Sequence, residues 1–506
     1  MTHNKQKVLF VYPALFKITG LPVGIASMSA VLRKNGYQVK VFDTAFYDTS
    51  NKQDWDKLRS DRLMSKRIVN EEQYWKIKTS DITKDFIAVV NEYKPKIVGI
   101  SILEANYEIS LMLTRLIKQH FENVIVIAGG VFPTLSPEVV IEETSIDIIC
   151  LGEGETAILE LCNRISAGKD YHDIKGLWVK HKGKVHKSDP GQLHNINDLP
   201  YPDFSAFDEG LLYKPMQGKL HKMVNIETSR GCPYNCSYCA ASRLKDFFIR
   251  SSGSNYYRSM NMTKVMEQIY YQIDLHSPDF IYFSSETFLA MNRKDFNMFI
   301  EEYKKIRIPF WFQTRFETIT TEYIKALKEV GMFWLTLGVE HGDEQFRKNI
   351  LKRACSNKSI FEGTSILNKY NVGASINNMM GFPFENRELI FETIKLNKKL
   401  FEINIGLEFN IFMFVPFRGC ELYDLCKQKG LLPDKDYFAT SASSDESTLN
   451  FSKQYKQELK GLMKTFNMYV KLPEKYYPKI KIAERFDKEG TSMFKDLAEL
   501  LPEASC

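Results

Sequence analysis

Short apolar runs alternate with stretches of helical apolar spacing along most of this 506-residue chain. That rhythm permits few architectures. Successive parallel strands need long crossovers, and a helix is the usual crossover, so the pattern predicts parallel sheets covered by helices. In the first part the strand-like runs are Val8–Tyr12, Val39–Phe42, Ile97–Ile102, Val124–Ala128 and Ile146–Leu151. Between them, Gly24–Asn35, Ile82–Tyr93 and Tyr107–His120 have helical spacing, another helix begins at Pro137, and one runs on to Ile165. Residues 1–165 are therefore expected to form a doubly wound sheet, whose ligands sit at the carboxyl ends of the strands. Asn51–Lys78 is charged and is expected to be a helical insertion on a solvated face. Residues 166–222 read as a linker, with Ile174–Val179 and Lys184–His186 forming a hairpin about Lys182-Gly183.

From Met223 the alternation returns. Strands are expected at Val224–Glu227, Phe280–Phe283, Phe310–Gln313, Trp334–Val339, Gly373–Met380 and Gly406–Phe414, with helices between them. Such a set suits a partial (β/α)6 barrel over 223–430. Barrel chemistry gathers at the C-terminal strand ends. Past Leu431 the alternation stops, and 431–506 is expected to be a small, mainly helical cap able to close over substrate.

The net charge is +6 and no long basic run occurs, which argues against nucleic acid. No stretch approaches the apolar length of a membrane span, and Met1–Lys7 is polar, unlike a signal peptide. Nine cysteines without an even framework point to a reducing cytoplasm and metal ligation.

Three of those cysteines lie close together. Thr228-Ser-Arg-Gly-Cys-Pro-Tyr-Asn-Cys-Ser-Tyr-Cys239 carries Cys232, Cys236 and Cys239, spaced C-x3-C-x2-C. Packed thiolates suit an iron–sulfur cluster or zinc, and either usually takes a fourth ligand. A zinc knuckle would need one nearby; His221, the nearest histidine, precedes the motif at an unusual offset. The motif resembles that of the radical SAM superfamily. There three cysteines hold a [4Fe–4S] cluster, and S-adenosylmethionine (SAM) occupies the open iron and is cleaved to a 5′-deoxyadenosyl radical.

Gly129-Gly-Val-Phe-Pro-Thr-Leu-Ser-Pro-Glu138 and Leu151-Gly-Glu-Gly-Glu155 resemble loops of the Rossmann-like cobalamin-binding domains that precede many radical SAM cores. The resemblance implies cobalamin contacts at Gly129, Gly130, Val131, Thr134, Gly152 and Glu153. Many such domains offer cobalt a histidine through D-x-H-x-x-G. That sequence is absent here, which implies a lower cobalt face held without histidine.

The same resemblance implies SAM contacts. Tyr238 matches an aromatic position whose backbone touches adenine. Glu286, in Ser284–Glu286, falls where the family binds the methionine ammonium. Glu340 lies in Gly338-Val-Glu-His-Gly342, near the ribose or carboxylate, with His341 replacing a small hydroxyl residue. Arg353 and Arg315 compete for the SAM carboxylate. His341 is expected at a barrel rim. Cys355 and Cys420 are expected to be small buried hydrophobes. Gly381-Phe-Pro-Phe-Glu385 resembles a family turn, with Phe384 in place of glycine.

The implied activity is cobalamin-dependent methyl transfer to an unactivated carbon of a small-molecule or peptide substrate, with an external flavodoxin- or ferredoxin-type electron donor. A non-methylating radical cyclase or rearrangement enzyme is one alternative, and a cobalamin-binding sensor or carrier is another. Substrate is expected between the two domains, with cobalt and cluster facing one cavity.

Overall fold

A computed structural model describes residues 5–48, 54–191, 193–434, 437, 439 and 444–501. The first sheet contains β1 (Lys7–Tyr12), β2 (Gln38–Asp43), β3 (Ile97–Ser101), β4 (Ile125–Gly129), β5 (Ile148–Cys150), β6 (Leu177–His181) and β7 (Lys184–Lys187). Their order is β2-β1-β3-β4-β5-β6-β7. Strands β1 to β5 are parallel, while β6 and β7 run antiparallel at one edge.

Strand alternation divides the core in two. Leu9 and Val11 of β1 join one apolar cluster with Phe86, Val90 and Leu111. Val8 and Phe10 point the other way, toward Ile25, Leu32, Ile158 and Leu161. Helices Ile82–Tyr93 and Tyr107–His120 thus cover one face, and Val23–Lys34 and Glu155–Ser166 the other. Strand order reverses between β1 and β3, which opens a crevice at their carboxyl ends.

The second sheet has β8 (Tyr213–Met216), β9 (Lys219–Ile226), β12 (Phe280–Phe283), β13 (Phe310–Thr314), β14 (Met332–Glu340), β15 (Gly373–Met380) and β16 (Leu407–Met413). Between β9 and β12 in sequence, β10 (Ser229–Arg230) and β11 (Arg258–Ser259) form a separate two-residue ladder. The order is β16-β15-β14-β13-β12-β9-β8; all are parallel except β8. Phe283, Phe310 and Phe312 pack outward against Phe296, Phe299 and Tyr303 of a covering helix. The inner face is mixed, with Trp311 and Trp334 beside Gln313, Thr336, Ser375, Asn377 and Asn410 around a cavity of about 310 Å³. This is an open half-barrel.

Two expectations change here. The charged insertion does not lie on a solvated face. Only Trp55–Asp61 and a short turn at Glu71–Gln73 are helical, and Asn51–Gln53 fall outside the described residues. The segment spans the half-barrel's open side. Val69 N–H donates to Gly218 O (3.4 Å) beside the first strands, and Arg59 donates to Asn410 Oδ1 (3.2 Å) on β16. Burial of Met64 and Trp75 provides the apolar driving force.

The C-terminal helix Lys453–Lys471 does not cap the substrate side either. It packs Leu459, Leu462 and Phe466 into the barrel core, and Asn467 donates to Phe409 O of β16 (3.0 Å). Its apolar face matches the barrel flank, so it docks there. Among the described residues, no helix is long and apolar enough to cross a membrane.

Candidate active site

The carboxyl ends of the two sheets face each other across a cavity of about 420 Å³. Phe10, Ile25, Gly99 and Ile127 form an apolar floor at the crevice of the first sheet. The end of β4 contributes Gly129, and the segments after β4 and β5 contribute Gly130, Val131, Gly152 and Glu153. From the second sheet come Glu227, Ser229, Arg230, Gly231, Ser284 and Glu286. The cysteine loop thus begins on the wall of the crevice.

Glycine is required on this wall. Gly130 has φ +108°, and a Cβ there would stand 2.7 Å from Ile102 O. Gly152 has φ +77°, and its Cβ would meet the Phe248 ring at 2.6 Å. Thr134 lies behind the wall. Its hydroxyl donates to Gly130 O (2.8 Å) and accepts from Gly152 N–H (2.9 Å), tying the two loops together.

Cys232, Cys236 and Cys239 follow β10, and Cys239 is the N-cap of helix Ala240–Ser252. Burial raises the Cys232 thiol and pushes Cys239 up to about 12. Two guanidiniums flank Cys236, with Arg315 Nη1 at 3.4 Å from its sulfur and Arg353 Nη1 at 3.9 Å. Among the described residues, no three His, Cys, Asp or Glu side chains converge on a point suited to one metal ion. Three free cysteine thiols on one loop, with two guanidiniums beside Cys236, are a donor set that fits an iron–sulfur cluster.

The residues expected to hold SAM surround the trio. Arg353 donates to Gly338 O, lies 3.5 Å from the Tyr238 hydroxyl, and keeps a buried Nε without a partner. That spare N–H fits an anionic ligand such as the SAM carboxylate. Glu340 has φ +70°, strained for a non-glycine residue, beside a register shift in β14. Burial raises its carboxyl pKa, and Arg353 opposes the rise. Arg315 is held by Glu317 (2.5 Å) and lies over the Tyr234 ring (3.8 Å). Glu286 opens onto the cavity yet is ringed by protein, and that desolvation raises its carboxyl pKa.

His341 is not at the rim. It is fully buried, stacks on Phe346 (4.2 Å), accepts from Asp343 N–H at Nδ1 (3.0 Å) and faces Glu385 Oε1 (3.2 Å). Glu385 in turn accepts from the N–H groups of Gly381 and Phe382. These contacts make His341 a brace between the ends of β14 and β15. Cys355 and Cys420 are buried.

Sequence reasoning missed an ion-pair network where the two halves meet. Arg230 reaches Glu155 Oε1 (2.8 Å), Glu227 Oε1 (2.9 Å) and Glu153 Oε1 (3.4 Å), and Arg258 also pairs with Glu153. Burial alone would raise the Glu155 carboxyl, but Arg230, a backbone N–H and the Ser27 hydroxyl together hold the group below its usual range. At Glu227 burial wins and the pKa rises. Glu153 thus lines the cavity with its carboxylate committed to arginines. The only signal in the sequence was that acidic Gly-Glu-Gly-Glu and basic Ser-Arg-Gly-Cys each follow a strand.

Comparison with known proteins agrees with this geometry. The B12 binding domain model matches residues 65–162, and the Radical SAM superfamily model matches residues 226–396. The chain carries a B12-binding domain followed by a radical SAM domain. A relative in Pyrococcus horikoshii, Uncharacterized methyltransferase PH0819, is 27% identical over 445 residues, 84% of either chain. Another, Anaerobic magnesium-protoporphyrin IX monomethyl ester cyclase of Rubrivivax gelatinosus, is 25% identical over 331 residues, covering 63% of this chain and 57% of that one. The fold is similar to that of the cobalamin-dependent S-adenosylmethionine radical enzyme OxsB with aqua-cobalamin and S-adenosylmethionine bound. That likeness has a TM-score of 0.66 at 15% identity, over 98% of this chain and 71% of OxsB. In this B12-binding radical SAM protein, the glycine-lined crevice with an apolar floor fits cobalamin. Among the described residues of its wall there is no histidine.

Proposed function

We propose that this protein is a cobalamin-dependent radical SAM methyltransferase acting on an unactivated carbon of a small-molecule or peptide substrate. One observation carries the reading: a single cavity is walled by the B12-domain loops and by the start of the cysteine loop. The name of the Pyrococcus relative supports methyl transfer. Cys232, Cys236 and Cys239 would hold the [4Fe–4S] cluster. Glu286 would accept from the SAM ammonium and Arg353 would donate to its carboxylate, with Tyr238, Arg315 and Glu340 completing that shell. Gly129, Gly130, Val131, Gly152 and Glu153 would line the cobalamin, with Thr134 locking their loops. When bound, these cofactors supply one-electron chemistry and a transferable methyl group.

The chain's own residues bind and orient. Arg315 and Arg353 balance sulfur-borne negative charge, and an ammonium placed at Glu286 would draw its carboxyl back to the ionised form. An external flavodoxin- or ferredoxin-type protein would deliver the electron, in a cytoplasmic setting that suits the free cysteines. We also assign 1–165 to cobalamin, 166–222 to a linker, 223–430 to the radical SAM core and 431–506 to a helical C-terminal unit.

Anaerobic purification with cobalamin, followed by iron and cobalt analysis and optical spectra, tests the cofactors. Alanine at Cys232, Cys236 and Cys239 should abolish iron loading and SAM cleavage; unchanged iron would sink the assignment. Product mass tests the reaction, since methylation adds one CH2 to the substrate. Ring closure without added carbon is the second reading, supported by the Rubrivivax relative's name.

A further inference from the structure

We propose that Arg230 is a positioning residue that couples cobalamin binding in the first domain to SAM binding at the cysteine loop. The inference rests on reading the shared cavity as the site of both cofactors.

Arg230 and its three carboxylates are nearly buried, with side-chain exposures of 11% for Arg230, 12% for Glu153, 5% for Glu155 and 12% for Glu227. Glu153 belongs to the loop after β5, whose Gly152, Glu153 and Gly154 line the crevice, and Glu155 opens the helix that follows directly. The third, Glu227, directly follows β9, the strand that leads into the cysteine motif. Each guanidinium nitrogen faces a different carboxylate, an arrangement that a lysine ammonium cannot reproduce. Glu155 is held further by the Ser27 hydroxyl (2.9 Å), which fixes it to a helix of the B12 domain.

Displacing the β5 loop would strand desolvated charge, which strongly disfavours independent movement. Arg230 therefore moves with that loop. Beyond Arg230 the chain has little freedom to absorb the shift. Gly231 has φ +82°, with Tyr256 O 2.8 Å from where a Cβ would lie, and Cys232 comes next. Arg230 itself is paired in register with Arg258 in the β10–β11 ladder, and Arg258 also grips Glu153. A ligand that resets the β5 loop must reset the cysteine loop. By linkage, SAM must then bias cobalamin affinity by the same factor.

Cluster-loaded protein provides the test. SAM dissociation constants are measured by anaerobic equilibrium dialysis with and without saturating hydroxocobalamin, and hydroxocobalamin constants with and without SAM. In the wild type each constant should change by at least about fivefold, by one common factor. In Arg230→Lys and in Glu155→Gln both ligands should still bind, and the factor should fall to within about twofold of unity. Glu155→Gln is isosteric and serves alone if Arg230→Lys does not fold. Arg387→Met breaks a comparable ion pair with Glu484 (2.6 Å) far from the boundary, and should keep the wild-type factor. A wild-type factor near unity, with both ligands bound, overturns the coupling and leaves the proposed function standing. So does a factor that persists in the variants. Failure of the wild type to bind cobalamin overturns both.

Discussion

Glu104 accepts a hydrogen bond from the backbone N–H of Arg418 at 2.7 Å, joining the loop after β3 to a segment 314 residues away. The Ala439 N–H donates to the same carboxylate at 2.6 Å. Together they latch the B12 domain to the region beyond the half-barrel.

Burial raises the Glu104 pKa from 4.5 to about 7, with the two N–H donors opposing. The folded state therefore holds the proton more tightly than the unfolded chain. This contribution to stability is full below about pH 4.5 and is lost as pH rises through about 7. Relative to wild type, Glu104→Gln should gain up to about 3 kcal/mol between pH 4.5 and 8. Urea midpoints at several pH values check this; parallel profiles would refute it.

Gly130→Ala places a methyl group against Ile102 O in a backbone region open mainly to glycine. It should cost roughly 1–3 kcal/mol and abolish cobalamin retention on gel filtration. Gly168→Ala, also at positive φ but with nothing within 4 Å, should cost less and leave cobalamin bound. Equal effects would mean that close approach at the crevice does not matter.

Arg353→Met leaves the buried Glu340 without its counter-charge. The guanidinium's hydrogen bond to Gly338 O is lost as well, and the expected loss is about 1–3 kcal/mol. Adding Glu340→Gln should recover part of it, giving an interaction energy of about 0.5–3 kcal/mol in a double-mutant cycle. Strict additivity would argue that the two side chains act separately.

Phe384 sits at φ +67° and is 52% exposed, so a left-handed turn is held by a bulky residue that gains little packing. Phe384→Gly should raise stability by about 0.5–1 kcal/mol, the relief of strain exceeding glycine's extra entropy cost. Thermal unfolding measures it, and a lower Tm would show that the ring contributes more than its exposure implies.

Much of the fold was legible because it is written in local periodicity. The run Val8–Tyr12 alternates between two clusters, and every strand expected in either half is present, with ends shifted by a few residues. What lacked a local signal was pairing at a distance. Strand β8 joins the barrel edge, β6 and β7 extend the first sheet, and the insertion closes the half-barrel's side. Its charges suggested solvent, but Met64 and Trp75 give it a buried face. His341 was misplaced for a similar reason: its partner Phe346 lies on the helix Glu344–Asn349, and Glu385 comes from the turn after β15.

The order of strands and helices, the cysteine spacing and the glycines of the crevice were determined by the sequence alone, because each depends on neighbours a few residues away. Which charges meet was decided only by tertiary structure. Arg230 reads as an unremarkable residue beside a metal motif until folding brings Glu153 and Glu155 within 3.4 Å and 2.8 Å of it. Electrostatic partnership depends on distance and desolvation, and neither exists until both sheets have packed.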